Sequence, residues 1–169
     1  LLSGDEPGVA IVGSRIPTSY GKEVTRELAA ELAGYRLTII SGLARGVDGI
    51  AHQAALDAGG TTIAVCATGL DLVYPPENRN LAKKIPENGA VISEYPPGTR
   101  ARPEYFPRRN RIMAGMARGV LVTEARQESG ALITAKLGLD YDREIFAVPG
   151  SIYSPNSRGT NRLIAEGAK

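Results

Sequence analysis

Short apolar runs recur along the chain at Val9–Val12, Leu37–Ile40, Thr62–Val65, Ala90–Ile92, Val120–Val122 and Glu144–Val148. They are nearly continuous in apolar residues instead of alternating, as strands covered on both faces must be. The segments between them carry one apolar stripe at helical spacing; in Gly21–Leu32 it is Val24, Leu28, Ala29 and Leu32. Strand, helix, strand order repeated in this way predicts a doubly wound α/β fold: a mostly parallel sheet of about six strands, helices on both faces and right-handed crossovers. The Pro-rich stretches Tyr74–Pro76, Tyr95–Pro97 and Ser154–Pro155 read as ordered loops, and there is no internal repeat.

At 169 residues and 43% hydrophobic, the chain is expected to be one domain over residues 1–169. No apolar run reaches the roughly 20 residues of a membrane helix, and Leu1–Asp5 lacks the regions of a signal peptide, so a cytoplasmic location is expected. The single cysteine, Cys66, sits in an apolar run, reads as a small core residue and excludes an intrachain disulfide. With one His and one Cys, no metal site is expected.

Charge changes the picture through its placement. The stretch Arg100–Arg118 holds six arginines and one acid, +5 in a chain whose net charge is +2, which leaves −3 for the remainder. Within it, Tyr105-Phe106-Pro107-Arg108-Arg109-Asn110-Arg111 places two rings beside three arginines, just before an apolar, helix-like run. Guanidinium groups grip phosphates and aromatic faces accept unstacked bases, so the mixture suits single-stranded nucleic acid; a solvated arginine loop that forms ion pairs is the competing reading.

Each expected strand also delivers polar residues to its carboxyl end, where ligands bind in such sheets: Gly13-Ser14-Arg15, Ser41-Gly42 with Arg45, Thr68-Gly69, Ser93-Glu94, Glu124 and Pro149-Gly150-Ser151. Gly13 and Gly42 would let a phosphate approach backbone N–H groups at a helix start, with Arg15 and Arg45 supplying charge; a tight turn needing positive φ is the alternative for each glycine. Ser129 is assigned to capping the next helix. His52 reads as structural, with Asp48 as the sole local carboxylate that could orient it as a base. Glu94 and Glu124 read as ion-pair partners of loop arginines in preference to ribose ligands or bases. The glycines from Gly13 to Gly21 are spaced too widely for a P-loop, and no Gly-x-Gly-x-x-Gly follows the first strand, so no nucleotide cofactor is expected.

Taken together, Ser41–His52, Gly69–Pro75, Phe106–Ile112, Ser129–Ala135 and Val148–Ser151 resemble the Rossmann-like core of the DprA/Smf DNA-processing family, over Val9–Lys169. The resemblance implies a non-enzymatic protein of natural transformation that binds single-stranded DNA, shields it from nucleases and helps load the RecA recombinase. It implies a DNA site at Gly13, Ser14, Arg15, Ser41, Gly42, Arg45, Phe106, Arg108, Arg109, Asn110 and Arg111, with Phe106 as the stacking ring. A homodimer through the C-terminal helix follows in the same way, with Leu163 and Ile164 as interface candidates. Family members often carry an N-terminal helical domain or a C-terminal winged-helix-like one, neither of which is present in this sequence. The alternative is a nucleotide-binding sensor or a phosphoribohydrolase-like enzyme of the same broad fold, whose Pro-Gly-Gly-x-Gly-Thr-x-x-Glu loop is not matched by Glu124–Ala131.

Overall fold

Six strands form one sheet in the computed structural model, which describes residues 7–169; the expectation for Leu1–Asp5 falls outside them. In chain order the elements are β1 (Gly8–Val12), α1 (Ser19–Gly34), β2 (Thr38–Ser41), α2 (Val47–Asp57), β3 (Thr62–Cys66) and α3 (Arg79–Lys84). They continue with β4 (Gly89–Ser93), α4 (Tyr105–Met116), β5 (Gly119–Val122), α5 (Gly130–Asp140), β6 (Glu144–Ala147) and α6 (Arg158–Ala165). Every pairing is parallel, in the order β4-β3-β2-β1-β5-β6.

The near-continuous apolar strands do cover themselves on both faces. Ala10 and Val12 of β1, with Val120 and Val122 of β5, pack against Met113 and Ala114 of α4 and Ala131 and Ala135 of α5. The intervening Ile11 and Leu121 point the other way, onto Ala29 and Ala33 of α1 and Ala51, Ala54 and Ala55 of α2. Small residues on the helices let both layers approach the sheet closely, and the side-chain period of two splits each strand between them. A smaller cluster joins Leu43, Ala64 and Cys66 to Leu81, Ala82 and Ile85 around α3.

Two expectations change. β6 alternates, with Glu144 and Phe146 exposed and Ile145 and Ala147 buried, because it is an edge strand with a helix layer on one side of most of its length. The arginine-rich segment does not precede a helix but forms its first two turns: α4 begins at Tyr105, so its arginines point around the helix in different directions. Among the described residues no helix is long and apolar enough to cross a membrane.

From β1 in the middle of the sheet, β2, β3 and β4 build to one side, and the chain then crosses to β5 and β6 on the other. The order therefore reverses between β1 and β5, and the loops leaving those two strands diverge to open a crevice at the carboxyl edge.

Candidate nucleic-acid interface

That crevice is a cavity of about 750 Å³ walled by the loop after β1, the first turns of α4, the Ala101–Pro103 segment and the start of α5. The loop after β1 is held from both sides. The Ser14 amide donates to the Glu124 carbonyl at 2.7 Å, and the Val47 amide donates to the Ser14 carbonyl at 3.1 Å. A Cβ at Gly13 would lie 2.7 Å from Val47 Cγ2 and 2.9 Å from the Glu124 carbonyl oxygen, so this glycine is required by its protein neighbours. Gly42 is required in the same way, since a Cβ there would come within 2.5 Å of the Arg109 guanidinium. Neither glycine has positive φ, so close packing, and not a left-handed turn, accounts for the missing side chain at both.

Arg15 projects from this loop, exposed, with its guanidinium carbon 5.2 Å from the centre of the Phe106 ring. Phe106, half-buried in the first turn of α4, meets Tyr74 on another side at 5.7 Å and 59°. Next to it Tyr105 stacks on Tyr95 at 4.4 Å, and the Arg102 guanidinium carbon lies 5.9 Å from the Tyr105 ring centre. Arg15, Phe106, Tyr74 and Arg102 thus line the cavity together, with the Tyr105–Tyr95 stack beside them, a mixture on which bases and phosphates can both be accommodated.

The opposite wall belongs to β5 and α5. Arg126 lines the cavity, its Nε donating to Asn156 Oδ1 at 2.7 Å, while Asn156 Nδ2 donates to the Ile16 carbonyl at 3.3 Å. Ser129 caps α5 by accepting from the Ala131 amide, as expected, and leaves the positive end of the helix facing the cavity. Sequence reasoning passed over Arg126, Arg102 and Tyr74. Arg126 was recoverable in principle, because residues just after β5 flank the β1 loop once the strand order is known.

The expected DNA-contacting residues separate into three groups. Gly13, Ser14, Arg15, Phe106, Arg109 and Asn110 all line the cavity. Arg45, Arg108 and Arg111 are exposed but do not line it: Arg45 pairs with Glu77 at 2.5 Å and Arg111 pairs with Glu94. Gly42, buried against the Arg109 guanidinium, and Ser41 form the third group; Ser41 lies inside the sheet as the last residue of β2, fully buried, its hydroxyl donating to the Ile11 carbonyl at 2.6 Å. It belongs to the strand and not to the loop that follows, because β2 runs one residue further than its apolar run.

Arg109 is also inside, 3% exposed, at the cavity floor. Its Nη1 donates to the Gly42 carbonyl at 2.6 Å and to the Val65 carbonyl, and Nε reaches Asn110 Oδ1 at 3.3 Å. Asp48 lies opposite, accepting from the Gly42 and Ala44 amides at 3.1 and 3.3 Å. Burial pushes the Asp48 carboxyl above its ordinary range, against the lowering effect of the Arg109 charge and of these amides.

Other candidates take structural places. Glu94 has the arginine partner expected of it, but Glu124 does not: 2% exposed, it accepts the Thr18 amide at 2.8 Å and the Thr18 hydroxyl at 2.6 Å. His52 is fully buried with Nδ1 2.7 Å from Thr62 Oγ1, and burial, with a smaller effect of Arg109, pushes its pKa down to about 3. Cys66 is buried, and burial raises its thiol pKa. Of the two dimer candidates, Leu163 packs partly buried against the core, whereas Ile164 is 36% exposed.

The sequence pattern of the family described as DNA recombination-mediator protein A matches residues 2–169. The chain is 48% identical over 166 residues to the protein Smf of Synechocystis sp., covering 98% of this chain and 42% of that protein. The X-ray structure of DNA processing protein A from Streptococcus pneumoniae superimposes with a TM-score of 0.92 at 46% identity, over 98% of this chain and 58% of that one. DNA processing protein A from Helicobacter pylori, whose structure concerns its single-stranded DNA binding mode, superimposes with a TM-score of 0.90 at 36% identity, over 98% and 76%. The chain spans about half the length of the curated relatives it matches. A sequence pattern met over almost every residue, and a sheet that overlays end to end on two solved members, place this chain in the DNA recombination-mediator protein A family, the DNA-processing proteins DprA and Smf.

Proposed function

We propose that residues 1–169 form a single-stranded DNA binding domain and that the cavity between the β1 and β5 loops is where the strand is held. The observation that carries this reading is convergence: Arg15, Phe106, Arg126 and the N-terminus of an 11-residue helix, from four separate elements, surround one crevice. Phosphates rest against Arg15, Arg126 and the α5 amides, and a base takes the place beside Phe106 that the Arg15 guanidinium now occupies. A single strand fits this arrangement better than a duplex, whose bases are stacked and unavailable to the ring. The single-stranded DNA binding mode of the Helicobacter pylori relative supports the same reading.

The domain acts by holding DNA, not by cleaving it. The Pro-Gly-Gly-x-Gly-Thr-x-x-Glu loop of the phosphoribohydrolases, whose last residue is the catalytic carboxylate, is not matched after β5, and Glu124 at the strand end has both oxygens engaged by Thr18. In the cell the protein works in the cytoplasm during natural transformation, as a homodimer that protects incoming strands and hands them to the RecA recombinase.

Titration of labelled oligo-dT and of a duplex of equal length, at two salt concentrations, tests the proposal. The expected result is preference for the single strand and an affinity that falls with salt, by a log–log slope of about −0.7 for each phosphate neutralised. Equal affinity for both, or binding unaffected by Arg15→Ala, overturns it.

A further inference from the structure

Of the six arginines between Arg100 and Arg118, Arg109 is the one the fold takes inside. Burying a guanidinium is expensive, and an apolar side chain of similar volume often serves stability as well or better. The cation must therefore be explained by what it holds.

It ties three elements at one point, with a fourth beside it. The side chain leaves the second turn of α4, passes under the cavity and donates to carbonyls at the ends of β2 and β3, Gly42 and Val65. Asp48 of α2 faces it, bound to the Gly42 and Ala44 amides. The fit leaves no room for a side chain at position 42. One turn earlier on the same face of α4 is Phe106. The β2–α2 loop, for its part, is joined to the Arg15 loop through the Val47 amide and the Ser14 carbonyl. The 5.2 Å between Arg15 and Phe106 is thus spanned from below by one connected path: the α4 turn from Phe106 to Arg109, the Arg109–Gly42 hydrogen bond, the loop from Gly42 to Val47, and the Val47–Ser14 hydrogen bond.

We propose that Arg109 is a positioning residue of the DNA site: locked to the Gly42 and Val65 carbonyls, it sets where the Phe106 ring stands relative to the Arg15 loop, and neutralises no phosphate itself. The inference rests on the single-stranded DNA function proposed for this cavity and departs from the sequence expectation that Arg109 contacts DNA.

Two variants of the chain test it: Arg109→Met with Asp48→Asn, which neutralises both buried partners, and Arg109→Lys, which keeps the charge but loses the planar fork. Each is first checked for folding by circular dichroism. With 4-fluorophenylalanine in place of the two phenylalanines, the fluorine resonance of Phe106, assigned by Phe106→Leu, is expected to shift in both variants without any DNA. Oligo-dT affinity is expected to drop by roughly five- to a hundredfold, the range of one lost stacking contact, in both variants. The salt slope should stay that of the parent, and Phe106→Ala should cost less in either background than in the parent. A slope reduced by about 0.7, with Lys restoring affinity, makes Arg109 a phosphate contact and overturns the proposal. So does full affinity or an unmoved Phe106 resonance in a folded variant. Should the double variant not fold, Arg109→Lys alone separates the same outcomes. A parent that does not bind oligo-dT defeats the DNA function itself, a result distinct from all of these.

Discussion

At the scale of single residues, the same side-chain type does different work according to depth. Arg15 is exposed over Phe106, where the proposed site brings it a phosphate; Arg111 is engaged by Glu94; Arg109 is buried at the cavity floor. Arg15→Ala is therefore expected to flatten the salt dependence of oligo-dT binding by about 0.7 in log–log slope. Phe106→Ala should weaken binding by roughly 1–3 kcal/mol and leave the slope unchanged, because a stacking ring releases no counterion. Anisotropy titrations from low to moderate salt distinguish the two. His52 supplies a pH effect. Its folded pKa of about 3 lies below the ordinary 6.5, so between those values the unfolded chain binds the extra proton and stability falls as pH drops. Between those values the slope from this group approaches about 1.4 kcal/mol per pH unit, and the stability it contributes is complete above pH 6.5 and lost towards 3. Asp48, raised by burial, opposes it by binding its proton more readily in the folded state. Urea unfolding of parent and His52→Gln at several pH values isolates the histidine: the variant should lose stability less steeply on acidification.

At the scale of elements, the switch point depends on how α1 begins. Thr18 caps the helix by accepting the Gly21 amide and is itself held by both oxygens of Glu124, at the end of β5. A strand on one side of the crevice thereby fixes a helix on the other. Thr18→Ala removes the cap and leaves a buried carboxylate short of a donor, so a loss near the upper end of about 0.5–2 kcal/mol is expected in denaturant unfolding. The α6 helix is the element proposed for dimerisation. Leu163 faces the core while Ile164 is exposed, so Ile164→Glu should yield monomers in sedimentation velocity with thermal stability of the fold retained, and Leu163→Ala should lower that stability instead.

At the scale of the whole molecule, a mildly basic protein gathers Arg15, Phe106 and Arg126 around one crevice because a doubly wound sheet has one place where its loops diverge. Much of this is legible in the chain itself. Six apolar runs correspond to six strands, and their continuity to cover on both faces, since backbone pairing and burial are dictated by local pattern. That Gly13, Ser14, Arg15 and Phe106, which line one cavity, come together is also legible, through loop position and motif. What the chain alone could not reveal is the rotation of each side chain about its element. The positive stretch looks like a surface when charge is counted along the sequence; once α4 starts at Tyr105, about 100° of turn per residue sends Arg108 and Arg111 outward and Arg109 under the cavity. Gly42 lacks a side chain to make room for a guanidinium 67 positions later, and Glu124 serves a threonine 106 positions earlier. The sequence by itself determined the elements, their succession along the chain and the sheet edge at which the polar loops gather, because these follow from propensity and periodicity. Only the tertiary structure decided which arginines face solvent and which hold the floor, because that depends on contacts between residues remote in the chain.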